Sequence, residues 1–334
     1  MPVPTLLVLL FLPAIPKTLV KTSSPISLSL KFDMDNSNET THDFSPFFKV
    51  YKDGRIERSL VLDDLPAGLD PETGVLSKDV VISPDSGVKA RIFIPEIVGS
   101  DQKLPLLVHY HGGGFCVGSA FHILTKNVLT PIVSQGNVIA ISIDYRLAPE
   151  HLLPIAYNDS WDGLEWIAGH SNGLGPEPWL NNHVDFGKVF LTGESAGANI
   201  AHYLAVQVGA NGWAGLKLAG VILVHPFFGY KDVDEMHKYL CPTSSGGDDD
   251  PRLNPAVDPN LSKMGCQKAL VCVAEKDFLR DRGEAYYKTL ATSGWPGKVE
   301  FYETKGEDHC FNAFKQCGET DALNKKVVDF MTME

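Results

Sequence analysis

Two glycine-bracketed segments carry residue types suited to acyl-transfer chemistry: His111-Gly112-Gly113-Gly114-Phe115 and Gly193-Glu194-Ser195-Ala196-Gly197. A free serine hydroxyl is a poor nucleophile; it needs a base to take its proton and a third group to hold that base. The setting of Ser195 suits such a role. Lys188–Leu191 before it is strand-like, Ala196–Gln207 after it has helix-forming composition, and Gly193 and Gly197 leave room for a tight elbow between the two. The triple glycine follows another apolar run, Leu106–Tyr110. Consecutive glycines are costly to order, and what they supply is close backbone approach with amides free to face an anion. Gly113 and Gly114, with the Ala196 amide, are therefore assigned as oxyanion donors, each worth roughly 2.7–4 kcal/mol of transition-state stabilisation in such a hole. His111 is read as shaping this loop rather than moving a proton.

Candidates for the orienting acid and the base lie downstream, in the chain order nucleophile, acid, histidine. Leu270–Ala274 is an apolar strand with Glu275-Lys276-Asp277 just beyond its end, and Asp277 is assigned as the acid, with Glu275 as its rival. Asp281 is read as the cap of the following helix. Val299–Tyr302 is the last strand, and Glu307-Asp308-His309 lies in the loop after it. His309, the only histidine after Asp277, is assigned as the base. Asp277 is preferred over the adjacent Asp308 as its partner. Phe115, Phe121, Phe227, Phe228 and Tyr230 are candidates for lining the pocket, with Phe115 and Phe228 taken as substrate-binding; core packing is the alternative for each.

These groups need a scaffold that brings distant loops to one edge. Phe47–Tyr51 and Arg55–Ser59, joined at Asp53-Gly54, read as a hairpin. Val80–Ser83 and Val88–Ile94 follow as strands around the turn Pro84–Gly87. Leu106–Tyr110, Val138–Ile143, Val189–Thr192, Val221–Val224, Leu270–Ala274 and Val299–Tyr302 are short apolar runs of the kind buried in parallel sheets. Helical stretches are expected near 121–135, 156–170, 195–208, 281–293 and 321–332. This alternation predicts an α/β fold with a mostly parallel sheet of about eight strands, covered on both faces. Residues 34–334 form that domain. Two segments, near 34–60 and 227–262, stand outside the alternation and are expected to cap the pocket at the strand ends, where ligands bind in open α/β sheets.

Composition narrows the partners. The chain has 334 residues, 44% hydrophobic and 21% charged, with a net charge of −12 and no basic cluster. Nucleic acid and anionic membrane surfaces are poor partners for such a surface. Six cysteines without a CxxC pair favour a reducing compartment. Val3–Ile15 is apolar but shorter than the roughly 20 residues a membrane span needs, and Pro4 and Pro13 interrupt it. Residues 1–33 read as an extension, either dispensable or a targeting segment, and Met34 is a second candidate start. The expected location is cytoplasmic, with organellar or secreted placement through residues 1–33 as alternatives. No metal or organic cofactor is expected, since no ligand cluster or phosphate loop stands out. The expected partners are a small-molecule ester and at most a second copy of the chain, as a monomer or weak homodimer.

His111–Phe115, Asp144-Tyr-Arg-Leu-Ala-Pro-Glu150, Gly193–Asn199, Asp277–Asp281 and His309 together resemble the hormone-sensitive-lipase-like branch of α/β-hydrolases. More narrowly, Phe44–Phe47, Tyr51–Arg58, Gly74–Asp79, Cys241–Thr243 and Asp250–Pro255 resemble plant carboxylesterases, including the 2-hydroxyisoflavanone-dehydratase-like and tuliposide-converting groups. The resemblance runs from about Met34 to the C-terminus. It implies the α/β-hydrolase fold, the set Ser195, Asp277 and His309, and a structural network containing Arg146 and Glu150. The expected activity is hydrolysis of small to medium carboxylic esters through an acyl-serine. The alternatives on this scaffold are a dehydratase or other lyase, a transesterifying enzyme, or a hormone-receptor-like binding protein. The expected pH profile rises with deprotonation of a histidine near an unperturbed value of about 6.5.

Overall fold

The computed structural model describes residues 38–96, 102–213, 216–229 and 232–332. The extension 1–33 and Tyr230 lie outside the described residues. Strands β1 (Thr40–Phe44), β2 (Phe48–Tyr51) and β3 (Ile56–Arg58) form a small antiparallel sheet. Its second hairpin turns at Asp53-Gly54. The first strand carries no alternating signal because almost all of it faces solvent.

The main sheet is built from β4 (Leu76–Ser83), β5 (Val88–Ile94), β6 (Leu104–Tyr110), β7 (Ile139–Asp144), β8 (Val184–Glu194), β9 (Leu218–Val224), β10 (Lys268–Ala274) and β11 (Lys298–Thr304). Their spatial order is β11-β10-β9-β8-β6-β7-β5-β4. The six strands from β6 to β11 run parallel; β5 pairs antiparallel with both β7 and β4, so β5 alone runs against the rest of the sheet. This is the α/β architecture expected from the alternation. β8 is longer than its apolar part because the mixed segment Val184–Lys188 extends the ladder to the pairing of Val184 with Leu104.

Successive residues of these strands serve opposite faces, as the pleat requires. Val189 and Leu191 join Val108, Ile141, Val221 and Val271 on one face, against α2 (Ile155–Ala168), α4 (Ala196–Asn211) and α6 (Arg280–Thr292). Phe190 joins Leu107, Ala140, Ile222 and Leu270 on the other, against α1 (Ile123–Gly136) and α8 (Gly318–Thr332). Burial on both faces explains why the strands read as continuous apolar runs rather than alternating ones. The short helices α3 (Pro178–His183), α5 (Glu235–Leu240) and α7 (Phe311–Phe314) span too few turns to show a helical period. α6 starts at Arg280 with Leu279 at its cap, so Asp281 sits inside the first turn and pairs with Arg280 instead of capping.

The expected Arg146–Glu150 network divides into two. Arg146 forks onto the buried Asp159 with bonds of 2.9 and 2.7 Å. Glu150 instead receives Arg58, whose Nε also donates to Cys116 O at 2.6 Å and whose Nη2 donates to Ala148 O at 3.1 Å. Arg58 thereby ties the small sheet to the loop that carries the triple glycine.

Candidate active site

Ser195 stands between the end of β8 and the start of α4 with φ 55° and ψ −117°. A non-glycine residue in this region is strained, at a cost on the order of 1–3 kcal/mol, and persists only when its surroundings dictate it. The surroundings do so through backbone contacts. Ser195 N–H donates to Val224 O at 3.0 Å, and Ser195 O accepts from Phe227 N–H at 3.1 Å and Asn199 N–H at 3.2 Å. A Cβ on Gly197 would lie 1.9 Å from Tyr110 O, and one on Gly193 would lie 2.4 Å from Gly197 C. The elbow is glycine-bracketed because three stretches of backbone meet there without room for a methyl group.

The triple-glycine loop is equally constrained. Gly113 has φ 116°, and a Cβ there would fall 2.0 Å from Val117 O. Its carbonyl accepts from Cys116 and Val117 N–H, closing the loop into a turn. Ala196 is the first residue of α4, so its N–H has no acceptor within its own helix. His111 packs flat on Tyr145, with ring centroids 4.3 Å apart, and its Nδ1 donates to Gly112 O at 2.8 Å. Burial pushes its pKa down to about 3, so it stays neutral.

Asp277 and His309 meet at 2.8 Å through Oδ2 and Nδ1. The other carboxylate oxygen of Asp277 accepts Leu279 N–H at 2.7 Å, and the residue is buried. With Nδ1–H donated to Asp277, the lone pair of neutral His309 resides on Nε2. Burial opposes charge on the His309 ring, but the adjacent Cys310 sulfur and the Asp277 carboxylate outweigh it, so its pKa lies above the usual imidazole value. The rivals are placed elsewhere. Glu275 accepts Gly306 N–H at 2.8 Å and pairs with Lys305, while Asp308 is exposed.

Two cavities open at Ser195. The first, of about 330 Å³, is lined by aromatic residues including Phe44, Phe115, Phe227 and Phe278, together with Gly114. The second, of about 270 Å³, brings Ser195 together with His309, Cys310 and Gly113 against Leu124, Val128 and other apolar side chains. Phe115 therefore reaches a cavity wall. Phe228 does not: it is 2% exposed and stacked on Tyr286 with centroids 4.5 Å apart, because successive side chains leave this segment in opposite directions. Phe228, expected at the pocket, is thus in the core, and its neighbour Phe227 is the ring that lines the cavity. Phe121 is likewise buried, under the Arg91 guanidinium.

Sequence reasoning missed Phe47, which lines both cavities, and Phe278, whose largely exposed ring stands 5.0 Å from the His309 ring. Its position directly after Asp277 was the available signal. Glu194, directly before Ser195, was also missed. It is buried and bonded to His109 Nε2 at 2.8 Å, and His109 Nδ1 in turn meets Ser142 Oγ at 2.9 Å. Among the described residues no helix is long and apolar enough to cross a membrane.

Comparison with known proteins gives concordant matches. A family described as alpha/beta hydrolase fold matches residues 107–313. A 2-hydroxyisoflavanone dehydratase of Glycyrrhiza echinata is 43% identical over 300 residues, 83% of this chain and 92% of that protein. Probable carboxylesterase 5 of Arabidopsis thaliana is 42% identical over 295 residues, 82% of this chain and 92% of that protein. An esterase of Pyrobaculum calidifontis superposes with a TM-score of 0.63 at 27% identity, covering 76% of this chain and 84% of the esterase.

Three predictions rest on this geometry. Gly197→Ala should destabilise the fold by about 3 kcal/mol or more, since backbone rather than a yielding side chain meets the new methyl group; a denaturant titration reads this directly. The rising limb of the kcat/KM–pH profile should lie above pH ~6.5, because the working base must lose a proton that its neighbours hold. Asp277→Asn should move that limb to lower pH and depress kcat by about 10⁴-fold.

Proposed function

The chain belongs to the alpha/beta hydrolase fold family, and on that premise we propose that it is a serine carboxylesterase working through Ser195, Asp277 and His309. The observation that carries this reading is the 2.8 Å Asp277–His309 bond beside a cavity that His309 shares with a serine at φ 55°. His309 takes the Oγ proton as Ser195 attacks the ester carbonyl. The amides of Gly113, Gly114 and Ala196 receive the developing oxyanion, and Asp277 stabilises the imidazolium. His309 then protonates the departing alkoxide, which leaves as the alcohol. Water, deprotonated by the same ring, releases the acid and restores Ser195.

The two cavities suggest how the ester is divided. The leaving oxygen must meet His309, so the alcohol occupies the second cavity and the acyl group the aromatic first one. Polar groups at the second cavity are already engaged: Thr125 Oγ1 donates to Ser119 O, and Glu194 is held by His109. Apolar alcohols therefore suit it. The small sheet and the segment around α5 supply Phe44, Phe47 and Met236 to the first cavity, and we read both as its cap. The substrate is a small or medium ester, and a plant carboxylesterase is the nearest functional description.

A second reading has specific support in the 43% identity to a dehydratase. The Asp277–His309 pair and the oxyanion amides would equally serve proton abstraction next to a carbonyl, followed by loss of hydroxide, with no covalent serine. One experiment separates the two. On p-nitrophenyl butyrate, Ser195→Ala should lose at least about a thousandfold in kcat, and the parent should take up one equivalent of a fluorophosphonate. A Ser195→Ala protein that still dehydrates a 2-hydroxyisoflavanone at the parental rate would establish the second reading instead. In a series of n-alkyl acetates, kcat/KM should rise by up to about fourfold per added methylene until the second cavity is filled, and glyceryl acetate should trail butyl acetate. Acid release followed at constant pH measures both, and a flat series would contradict the division of the ester.

A further inference from the structure

We infer that His225 is a positioning residue for the base: its ring ties the His309 loop to the strand end that also holds the nucleophile. The inference rests on the reading of His309 as the base. Four backbone and ring contacts carry it, all made by the last residue of β9 and the turn that follows it. Val224 O accepts Ser195 N–H, and Phe227 N–H donates to Ser195 O, so this turn grips the elbow on one side. His225 N–H donates to Cys272 O at 2.8 Å, anchoring the turn to β10, the strand that leads to Asp277. On the other side His225 Nδ1 accepts Cys310 N–H at 3.1 Å, immediately next to His309. One turn thereby contacts the backbone of the nucleophile and that of the loop bearing the base.

The conformation shows that this arrangement is imposed. His225 has φ 48° and Cys310 has φ 52°, so both partners of the bond sit in the left-handed region that non-glycine residues seldom occupy. His225 is fully buried, with its ring centroid 5.9 Å from that of His309 and 5.7 Å from that of Phe311. Burial holds its pKa down to about 3, with the neighbouring His309 adding to the effect. Nδ1 therefore remains an acceptor at every working pH, and no second positive charge arises beside His309 when it is protonated during turnover. The price is a ring Nε2 that is buried without a hydrogen-bond partner. A histidine serving packing alone would be better replaced by an apolar ring.

The test compares the full-length protein with His225→Leu and His225→Asn. It measures kcat, KM, the pH profile on p-nitrophenyl butyrate, thermal stability and the downfield ring N–H resonance of His309, identified by its loss in His309→Ala. His225→Leu should lower kcat by about 30- to 100-fold, the scale set by small misplacements of a catalytic group. Its KM should stay near the parental value, and its His309 resonance should vanish through exchange with solvent. His225→Asn places an oxygen acceptor close to where Nδ1 stood and accepts a left-handed backbone. It should restore most of the rate and the resonance. The inference is overturned if folded His225→Leu keeps parental kcat and resonance, or if His225→Asn, folded, fails as completely as His225→Leu. If the parent cleaves no ester, the acyl-serine reading falls, while the resonance comparison still decides the role of His225.

Discussion

The site depends on a close approach of backbone to backbone at the end of β8. Gly197 passes so near Tyr110 O that a methyl group could not be inserted, and Ser195 is turned to φ 55° between them. Strain of this kind is maintained by the rest of the sheet rather than by the residue itself. β6 and β9 flank β8, and both contribute to the elbow: Tyr110 at the end of β6 sets its floor, and Val224 at the end of β9 accepts its N–H. Anything that changed the register of these three strands would release the serine from its turned conformation. The buried apolar layers on both faces of the sheet are what hold that register.

A second level of organisation joins the covering segments to this edge. Arg58 reaches from the small sheet to the Cys116 and Ala148 carbonyls and to Glu150, so one guanidinium spans the loop after the triple glycine and the Asp144–Glu150 segment. On the opposite side, Asn199 in the first turn of α4 donates to Phe227 O and Arg252 O and accepts from Tyr157 OH at 2.7 Å. Phe227 thus faces a cavity while its backbone is fixed to the helix that Ser195 caps. The walls of the first cavity and Ser195 therefore share the same supports.

How much of this was legible in the sequence follows from how local each signal is. Most of the parallel strands were readable because burial on both faces makes them apolar over four or more residues; β11, at the sheet edge, is only half-buried and carries Glu300 and Glu303. The glycine brackets at Ser195 were readable because the steric demand falls on single residues at fixed spacing. The strand Thr40–Phe44 carried no such mark, since its residues face water and its pairing is set by β2. The choice of Phe227 over Phe228 was also out of reach: adjacent phenylalanines are equivalent in sequence, and only the direction of the chain beyond β9 decides which ring meets the cavity. The splitting of Arg146 and Glu150 into separate pairs has the same origin. Each charge is partnered by a residue brought near by folding, and spacing along the chain does not encode that partner.

The histidines around the site show environment selecting function from identical side chains. His111 and His225 lie beside the glycine loop and the Ser195 elbow, yet both are buried without a carboxylate hydrogen-bond partner among the described residues, and burial holds both neutral with pKa values near 3. Each is then fit only to give or accept a fixed hydrogen bond. His309 differs in retaining partial exposure and in facing Asp277, so its protonated form is stabilised where theirs is not. A proton can therefore arrive at one ring only of these three, and the two neutral rings are free to act as rigid struts. In acyl transfer the imidazolium must form and discharge in every cycle, so a neighbour that could also charge would compete for the proton and repel it. The burial that keeps His111 and His225 neutral is in this sense part of what suits His309 to the proposed role of base.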